Sequence, residues 1–157
     1  QWPTPRIENF RYMLRSGMMG WLTVMQNTNE WTAQEHAAAR EALSLYKRRL
    51  RPLIRDAQLF HISRRPDGVH WDGMEYWDPA LRQGVVFAFH GADAAQREHR
   101  FVLAGLDARA KYRLHFEDGT SPDETLSGGQ LMTSGVRVVS GEPLSSELIF
   151  LSASAPP

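Results

Sequence analysis

The hydrophobic pattern of this chain changes its period once, near Gln58, and that change divides the sequence into two parts. Before it, apolar residues recur every three or four positions, which is the spacing of one face of an α-helix. After it, apolar and polar residues alternate in short segments separated by Gly, Pro and Asp, as in strands joined by turns. A chain of 157 residues has room for one domain with its own core and an appendage. We therefore expect a helical part at 1–56 and a β-structured domain at 57–157.

The first part predicts two helices around one strand. Pro5 to Met18 has helical spacing, and its proline suits a first helical turn. Trp21 to Met25 (WLTVM) is an apolar run of the length and composition of a buried strand. Thr32 and Glu35 match a capping box, which begins a second helix, and Pro52 should kink or break the end of that helix. A single buried strand has no parallel neighbour in this chain, so we expect this helix–strand–helix piece to be incomplete alone.

The second part predicts seven short strands, the pattern of an antiparallel β-sandwich. We expect these strands near residues 59–63, 73–77, 84–90, 99–106, 111–117, 135–139 and 147–152. Ser127 to Ser134 should form a single helical turn that closes one end, with Leu131 pointing inward. The last three residues, from Ala155, should be loose. The predicted fold class is mainly β, an antiparallel β-sandwich preceded by the helix–strand–helix piece.

An acidic and aromatic cluster at 71–79 (WDGMEYWDP) is the candidate binding surface. It offers three rings for stacking on sugars and three carboxylates for their hydroxyl groups: Trp71, Tyr76 and Trp77, with Asp72, Glu75 and Asp78. The alternative is a structural hairpin, with turns at 72–73 and 78–79. Alternation favours the hairpin, because neither face of the strand collects both the rings and the acids.

Several classes of function find no support in the residues. A glycosidase needs two carboxyl groups roughly 5 to 9.5 Å apart across the bond it cleaves, whereas Glu75 and its nearest acids alternate onto opposite faces. Six histidines show no metal-ligand spacing, and there is no cysteine. We expect no metal and no cofactor. The 18 basic and 18 acidic residues cancel, so nucleic acid is not an expected partner.

The amino terminus and the apolar runs of the sequence bear on where in the cell the protein resides. No apolar run approaches the roughly 20 residues of a membrane span, and the first residues lack the pattern of a signal peptide. We expect a soluble chain with no membrane partner. The lack of cysteine leaves the compartment open, with the cytoplasm slightly favoured. Gln1 in place of a start methionine indicates that the natural amino terminus is missing, either through processing or because the chain is a piece of a longer protein.

Five segments, in order along the chain, carry a resemblance to a known family. They are FRYMLRSGMMGWLTVM, TAQEHAAAREALSLYKRRLRPLI, DGVHWDGMEYWDPALRQGVVFAFHG, FVLAGLDARAKYRLHFED and LSGGQLMTSGVRV. The most specific stretches are YKRRLRPLI, LAGLDARAKY and SGGQLMTSG. In this order they resemble the carboxyl-terminal end of clan D glycoside hydrolases, in particular the family 36 α-galactosidase-like enzymes.

The resemblance implies that the part up to about Arg55 is the last β/α unit of a (β/α)8 barrel, with the β-sandwich packed against it. The catalytic aspartates of such enzymes lie on earlier barrel strands, and nothing here matches their motifs. No catalytic residue is therefore assigned, and the chain alone should be inactive. Gln26 and Asn27 would follow the eighth strand, at the barrel face where substrates bind. Capping of the loop is the alternative role for these two side chains.

The leading hypothesis is an accessory domain of a retaining glycoside hydrolase that acts on α-linked sugars, with an upstream catalytic barrel as its partner. A second hypothesis is a carbohydrate-binding module that uses Trp71, Tyr76, Trp77 and Glu75. A third is a structural domain that covers the barrel and mediates contacts between copies in a homo-oligomer.

Overall fold

Eight antiparallel strands form two sheets in the computed structural model, which describes residues 7–154. The strands are β1 Gln58–His61, β2 Asp72–Asp78, β3 Gln83–Phe89, β4 Glu98–Phe101, β5 Lys111–Phe116, β6 Glu124–Ser127, β7 Val136–Val139 and β8 Ser146–Ala153. Six of them form one sheet in the order β1-β2-β3-β8-β5-β6, and β4 and β7 form the other. This confirms the mainly β, antiparallel fold class, with helices preceding the sheets. The sheets do not close into a barrel.

The larger sheet is covered on both faces. On one face the pair β4 and β7 contributes Phe101, Val136 and Val138 to a core shared with β3, β5 and β8. On the other face the first part of the chain contributes the apolar residues Phe10, Leu14, Met18, Leu50 and Leu53. All of Gly84 to Phe89 in β3 is therefore buried, as expected for a strand between two layers. The molecule has three layers, with the large sheet in the middle.

The hairpin interpretation of the acidic and aromatic cluster is confirmed. Strands β2 and β3 pair from Asp72 opposite Phe89 to Asp78 opposite Gln83. The predicted turn at 78–79 is present, but the one at 72–73 is wrong, because both residues lie inside β2. Gly73 serves close packing instead of a turn, since a Cβ atom there would lie 2.4 Å from Cε1 of Phe101.

Two other strand predictions need correction. The four residues of β6 were missed because ETLS shows no clear apolar alternation, although the segment pairs with β5. The strand predicted at 99–106 ends at Phe101, where the chain leaves the sheet and the amide of Leu103 donates to the carbonyl of Leu131 at 3.0 Å. That carbonyl belongs to the predicted helical turn, α4, at Gly128–Thr133, in which Leu131 is fully buried as expected.

The helical layer consists of α1, Ile7–Gly17, and a longer helix that begins after Thr32. The longer helix runs as α2, Ala33–Leu45, a π-helical segment, Tyr46–Leu50, and α3, Arg51–Ile54. The predicted capping box is present, with the Thr32 hydroxyl accepting from the Glu35 amide at 3.2 Å. The π-helical turns directly precede Pro52, and the helix ends two residues after it. Two expectations, a helical start at Pro5 and a loose end from Ala155, lie outside the described residues.

The strand predicted at Trp21–Met25 is not formed within the described chain. These residues form an irregular loop between α1 and α2, and Trp21 and Met25 are 92% and 89% exposed. An extended apolar segment becomes a strand only where a neighbouring strand pairs with its backbone. Within residues 7–154, no backbone–backbone hydrogen bond joins this segment to another strand.

Candidate functional site

The three rings of the candidate binding surface lie inside the protein. Trp71, Tyr76 and Trp77 are only 5%, 6% and 5% exposed. The two tryptophans belong to the core between the sheets, whereas Tyr76 belongs to the core under the helices. A ring must present an open face to stack on a sugar, and none of these rings does so. The structure therefore does not bring them together as a binding platform.

Trp71 already has stacking partners within the chain. Its ring lies parallel to the His90 imidazole, with centroids 4.6 Å apart, and roughly parallel to that of His99 at 6.2 Å. Its indole nitrogen donates to the carbonyl of Gln96 at 2.7 Å. Trp71, one of the three rings of the candidate binding surface, thus joins the start of β2 to the β3–β4 connection and β4.

The carboxylates of the cluster have structural partners. Asp72 accepts a hydrogen bond from the Ser63 hydroxyl at 2.7 Å. Asp78 caps the hairpin turn by accepting from the amides of Ala80 and Leu81 at 2.8 and 3.0 Å. Glu75 lies on the opposite face of β2 from both aspartates. The three acids of this strand therefore do not form a pair across a common space.

Glu75 is the most unusual of these acids because it is fully buried between the two sheets. One of its oxygens, Oε2, accepts from the amide of Ala104 at 2.8 Å. The other, Oε1, has no hydrogen-bond partner within the described structure. Burial raises the pKa of Glu75 to about 7, and the Ala104 hydrogen bond opposes that shift only in part. The carboxyl thus holds the loop after β4 against the sheet, out of reach of a substrate.

A second buried acid ties the helical layer to the large sheet. Glu147 accepts from the amide of Asp118 at 3.0 Å and from the amide and hydroxyl of Thr120 at 3.3 and 2.6 Å. Asp118 forms a bidentate ion pair with Arg15 of α1, and Arg15 also donates to the carbonyl of Ser146 at 2.8 Å. Burial raises the pKa of Glu147. Sequence reasoning missed this network, because its members are up to 131 positions apart and carry no local signal.

The loop at 18–31, between α1 and α2, is held at its start by two tyrosines. The hydroxyl of Tyr76 donates to the carbonyl of Met19 at 2.5 Å. The hydroxyl of Tyr46 donates to the next carbonyl, that of Gly20, at 2.7 Å. The exposed segment Trp21–Met25 begins directly after these two anchors.

The same loop is held at its far end by the two amides proposed to meet substrate. Gln26 accepts from the indole nitrogen of Trp31 at 3.2 Å. Asn27 caps the short 3₁₀ turn that follows, accepting from the amide of Asn29 at 3.3 Å and donating to Glu30 at 2.8 Å. Both side chains are exposed and act as loop caps in this chain. Their contact with a substrate stays a prediction.

Open grooves lie elsewhere on the surface, and two of them are lined by several ionisable side chains. One, of about 860 Å³, is lined by His61, Arg64, Arg65, Asp67, His70 and His99, among others. The other, of about 530 Å³, is lined by Arg48, Arg49, Arg113 and His115, among others. Many of these charges are paired within the chain, as in Arg49 with Glu117 at 2.9 Å. Among residues 7–154, no three His, Cys, Asp or Glu side chains are grouped to hold a metal ion. No helix in the same range is long and apolar enough to cross a membrane.

Comparison with known families identifies the β-structured part. Residues 71–151 match the family model described as the glycosyl hydrolase family 36 C-terminal domain. The match begins at Trp71, runs through both sheets, and covers just over half of the chain. A search of curated proteins found no match.

Proposed function

Because this chain belongs to the glycosyl hydrolase family 36 C-terminal domain family, we propose that it completes a retaining enzyme that acts on α-linked sugars, as α-galactosidases do. As a member of that family it is an accessory domain of a glycoside hydrolase. In the proposed enzyme, the catalytic carboxylates lie in a barrel upstream of this chain. Residues 1–56 are the last β/α unit of that barrel, and residues 57–157 are the sandwich packed against it.

The observation that carries the proposal is the exposure of Trp21–Met25. Trp21 and Met25 project almost entirely into solvent, and Val24 is also exposed. Exposed apolar groups concentrated in one short segment mark an interaction site. No strand of the described chain bonds to the backbone of this segment, whose Leu22 amide donates to the Tyr46 hydroxyl at 3.5 Å. A parallel barrel missing its last strand offers the matching surface, since it would bury the side chains and pair the backbone together.

The buried acids of this chain support a structural role for it, with the catalytic carboxylates in an upstream part of the protein. A retaining glycosidase uses two carboxyl groups about 5 to 5.5 Å apart, on either side of the bond that breaks. The two acids here with pKa values raised by burial, Glu75 and Glu147, are enclosed in separate hydrogen-bonding environments. Their contacts hold segments of the fold in place. The chain therefore contributes packing and an interface, and the reaction takes place upstream.

Hydrolysis of aryl α-galactosides separates this proposal from its alternatives. The full-length native protein should cleave a nitrophenyl α-galactoside, and NMR of the first sugar released should show a retained anomeric configuration. The 157-residue chain alone should show no cleavage above buffer. Cleavage by the chain alone, or an inverted product from the full-length protein, would overturn the proposal. A nitrophenyl β-galactoside is the matched control substrate.

The second candidate, a carbohydrate-binding module, is disfavoured because Trp71, Tyr76 and Trp77 are buried and present no open ring face to a sugar. A domain that mediates contacts between copies would use the exposed Trp21–Met25 segment instead. A second copy of the chain could cover the apolar side chains of this segment but offers no parallel strand to pair with its backbone. The barrel offers both and is therefore the better fit.

A further inference from the structure

We infer that Tyr76 and Tyr46 are positioning residues of the enzyme. They hold the start of the Trp21–Met25 segment and thereby set where Gln26 and Asn27 lie at the catalytic face. This inference rests on the proposed function, because it takes the loop at 18–31 to be part of the barrel.

Tyr76 connects the sandwich to the loop. Its ring is buried under the helices, against the ring of Phe87 with centroids 5.8 Å apart. Its hydroxyl reaches out of β2 to the carbonyl of Met19, 57 positions earlier in the chain, at 2.5 Å. Burial raises the pKa of Tyr76, so the hydroxyl keeps the proton that it donates. A rigid strand of the large sheet thus fixes one end of a loop that has no strand of its own.

Tyr46 fixes the adjacent peptide group from the helical side. Its hydroxyl donates to the carbonyl of Gly20 at 2.7 Å. Tyr46 is the first residue of the π-helical segment, and its carbonyl accepts from the amide of Arg51, five residues later, instead of four. Such turns are rare and occur frequently at functional sites. Consecutive carbonyls are therefore held by two tyrosines from different layers, an arrangement that restricts the chain just before Trp21.

The far end of the segment is also restrained, so the exposed part is presented in a defined position. The amide of Gln26 contacts the sulfur of Met13 at 3.2 Å and accepts from Trp31 at 3.2 Å. A segment held at both ends loses less conformational freedom when it docks. Displacement of a substrate-positioning group by about 1 Å can cost a factor of about 100 in rate. Release of the Tyr76 anchor should therefore affect catalysis from inside the sandwich.

The test compares two buried tyrosines of the large sheet in the full-length protein. Tyr76→Phe removes the hydroxyl that holds Met19. Tyr112→Phe is the matched control, because its hydroxyl accepts from the backbone amide of Asp107 at 2.9 Å and its ring faces the opposite core. Both variants should melt at similarly lowered temperatures, since each loses one hydroxyl hydrogen bond. Only Tyr76→Phe should lower kcat/KM for an aryl α-galactoside, by about tenfold and mainly through KM.

Hydrogen exchange gives a readout that does not depend on activity. In the full-length protein, where the proposed docking pairs this segment with the barrel, amides at 20–27 should exchange several-fold faster in Tyr76→Phe and in Tyr46→Phe than in the wild type or Tyr112→Phe. Equal kinetic constants in Tyr76→Phe and Tyr112→Phe, or unchanged exchange at 20–27, would overturn the positioning role alone. A full-length wild type that cleaves no α-glycoside would overturn the proposed function and this role with it.

Discussion

Replacement of Trp21 by alanine is expected to destabilise the full-length enzyme by about 3 to 5 kcal/mol while changing the 157-residue chain by no more than about 0.5 kcal/mol. In this chain the indole is 92% exposed, so its removal costs almost no packing. Docked as part of the last barrel strand, the same indole would be enclosed, and truncation would leave a cavity. Denaturant unfolding of both proteins, with and without the substitution, measures the two differences.

Val102→Ala is the matched control for Trp21→Ala. Val102 is also exposed, and it follows β4 in the smaller sheet, away from the helical layer. Its truncation should be nearly neutral in both proteins. Equally small effects of Trp21→Ala in the chain and in the full-length protein would contradict docking of this segment. If Trp21→Ala lowers the oligomeric mass of the 157-residue chain relative to the unsubstituted chain, the segment mediates contacts between copies instead.

Glu75→Gln is expected to stabilise the protein by about 3 kcal/mol at pH 8 and to have little effect near pH 4.5. The pKa of Glu75 is raised from 4.5 to about 7 in the folded state, so the folded protein holds a proton that the unfolded chain releases first. The contribution of Glu75 is therefore fully present below about pH 4.5 and is lost as the pH rises through about 7. A glutamine keeps the acceptor for the Ala104 amide and does not ionise.

The measurement is the free energy of unfolding in urea at several pH values between 4 and 8. Glu147, whose pKa is also raised by burial, contributes a slope of the same sign to both proteins, so the difference between the curves isolates Glu75. Glu124→Gln, on the exposed start of β6, is the control. Its free energy of unfolding should equal that of the wild type at every pH. Parallel curves for the wild type and Glu75→Gln would contradict a buried carboxyl that titrates near neutrality.

Features decided by neighbours in the sequence could be predicted well. The capping box at Thr32 depends on an amide and a side chain three positions apart, and it formed as expected. Alternation along β2 correctly placed Trp71 and Tyr76 in different environments. The same alternation argued for the hairpin, which the pairing of β2 with β3 confirms.

Features decided by distant partners could not be predicted in the same way. The apolar run WLTVM has the composition of a buried strand, but strand formation requires a neighbour that the described chain lacks. Trp71 appeared available to sugars because nothing near it in sequence shows that His90 and His99 stack on its ring. The anchor from Tyr76 to Met19 spans 57 positions. The turn predicted at Gly73 is wrong for the same reason, because the ring of Phe101, a distant residue, lies where a Cβ atom of residue 73 would be.

The central claim is that this chain is the accessory end of a larger glycoside hydrolase, and the intact mass of the native protein tests it most directly. The protein would be captured from its source with an antibody against this chain and measured by mass spectrometry. We predict a mass several times the 17.9 kDa of the chain, because the proposed enzyme has a catalytic barrel upstream of it. A native mass near 17.9 kDa would contradict the account.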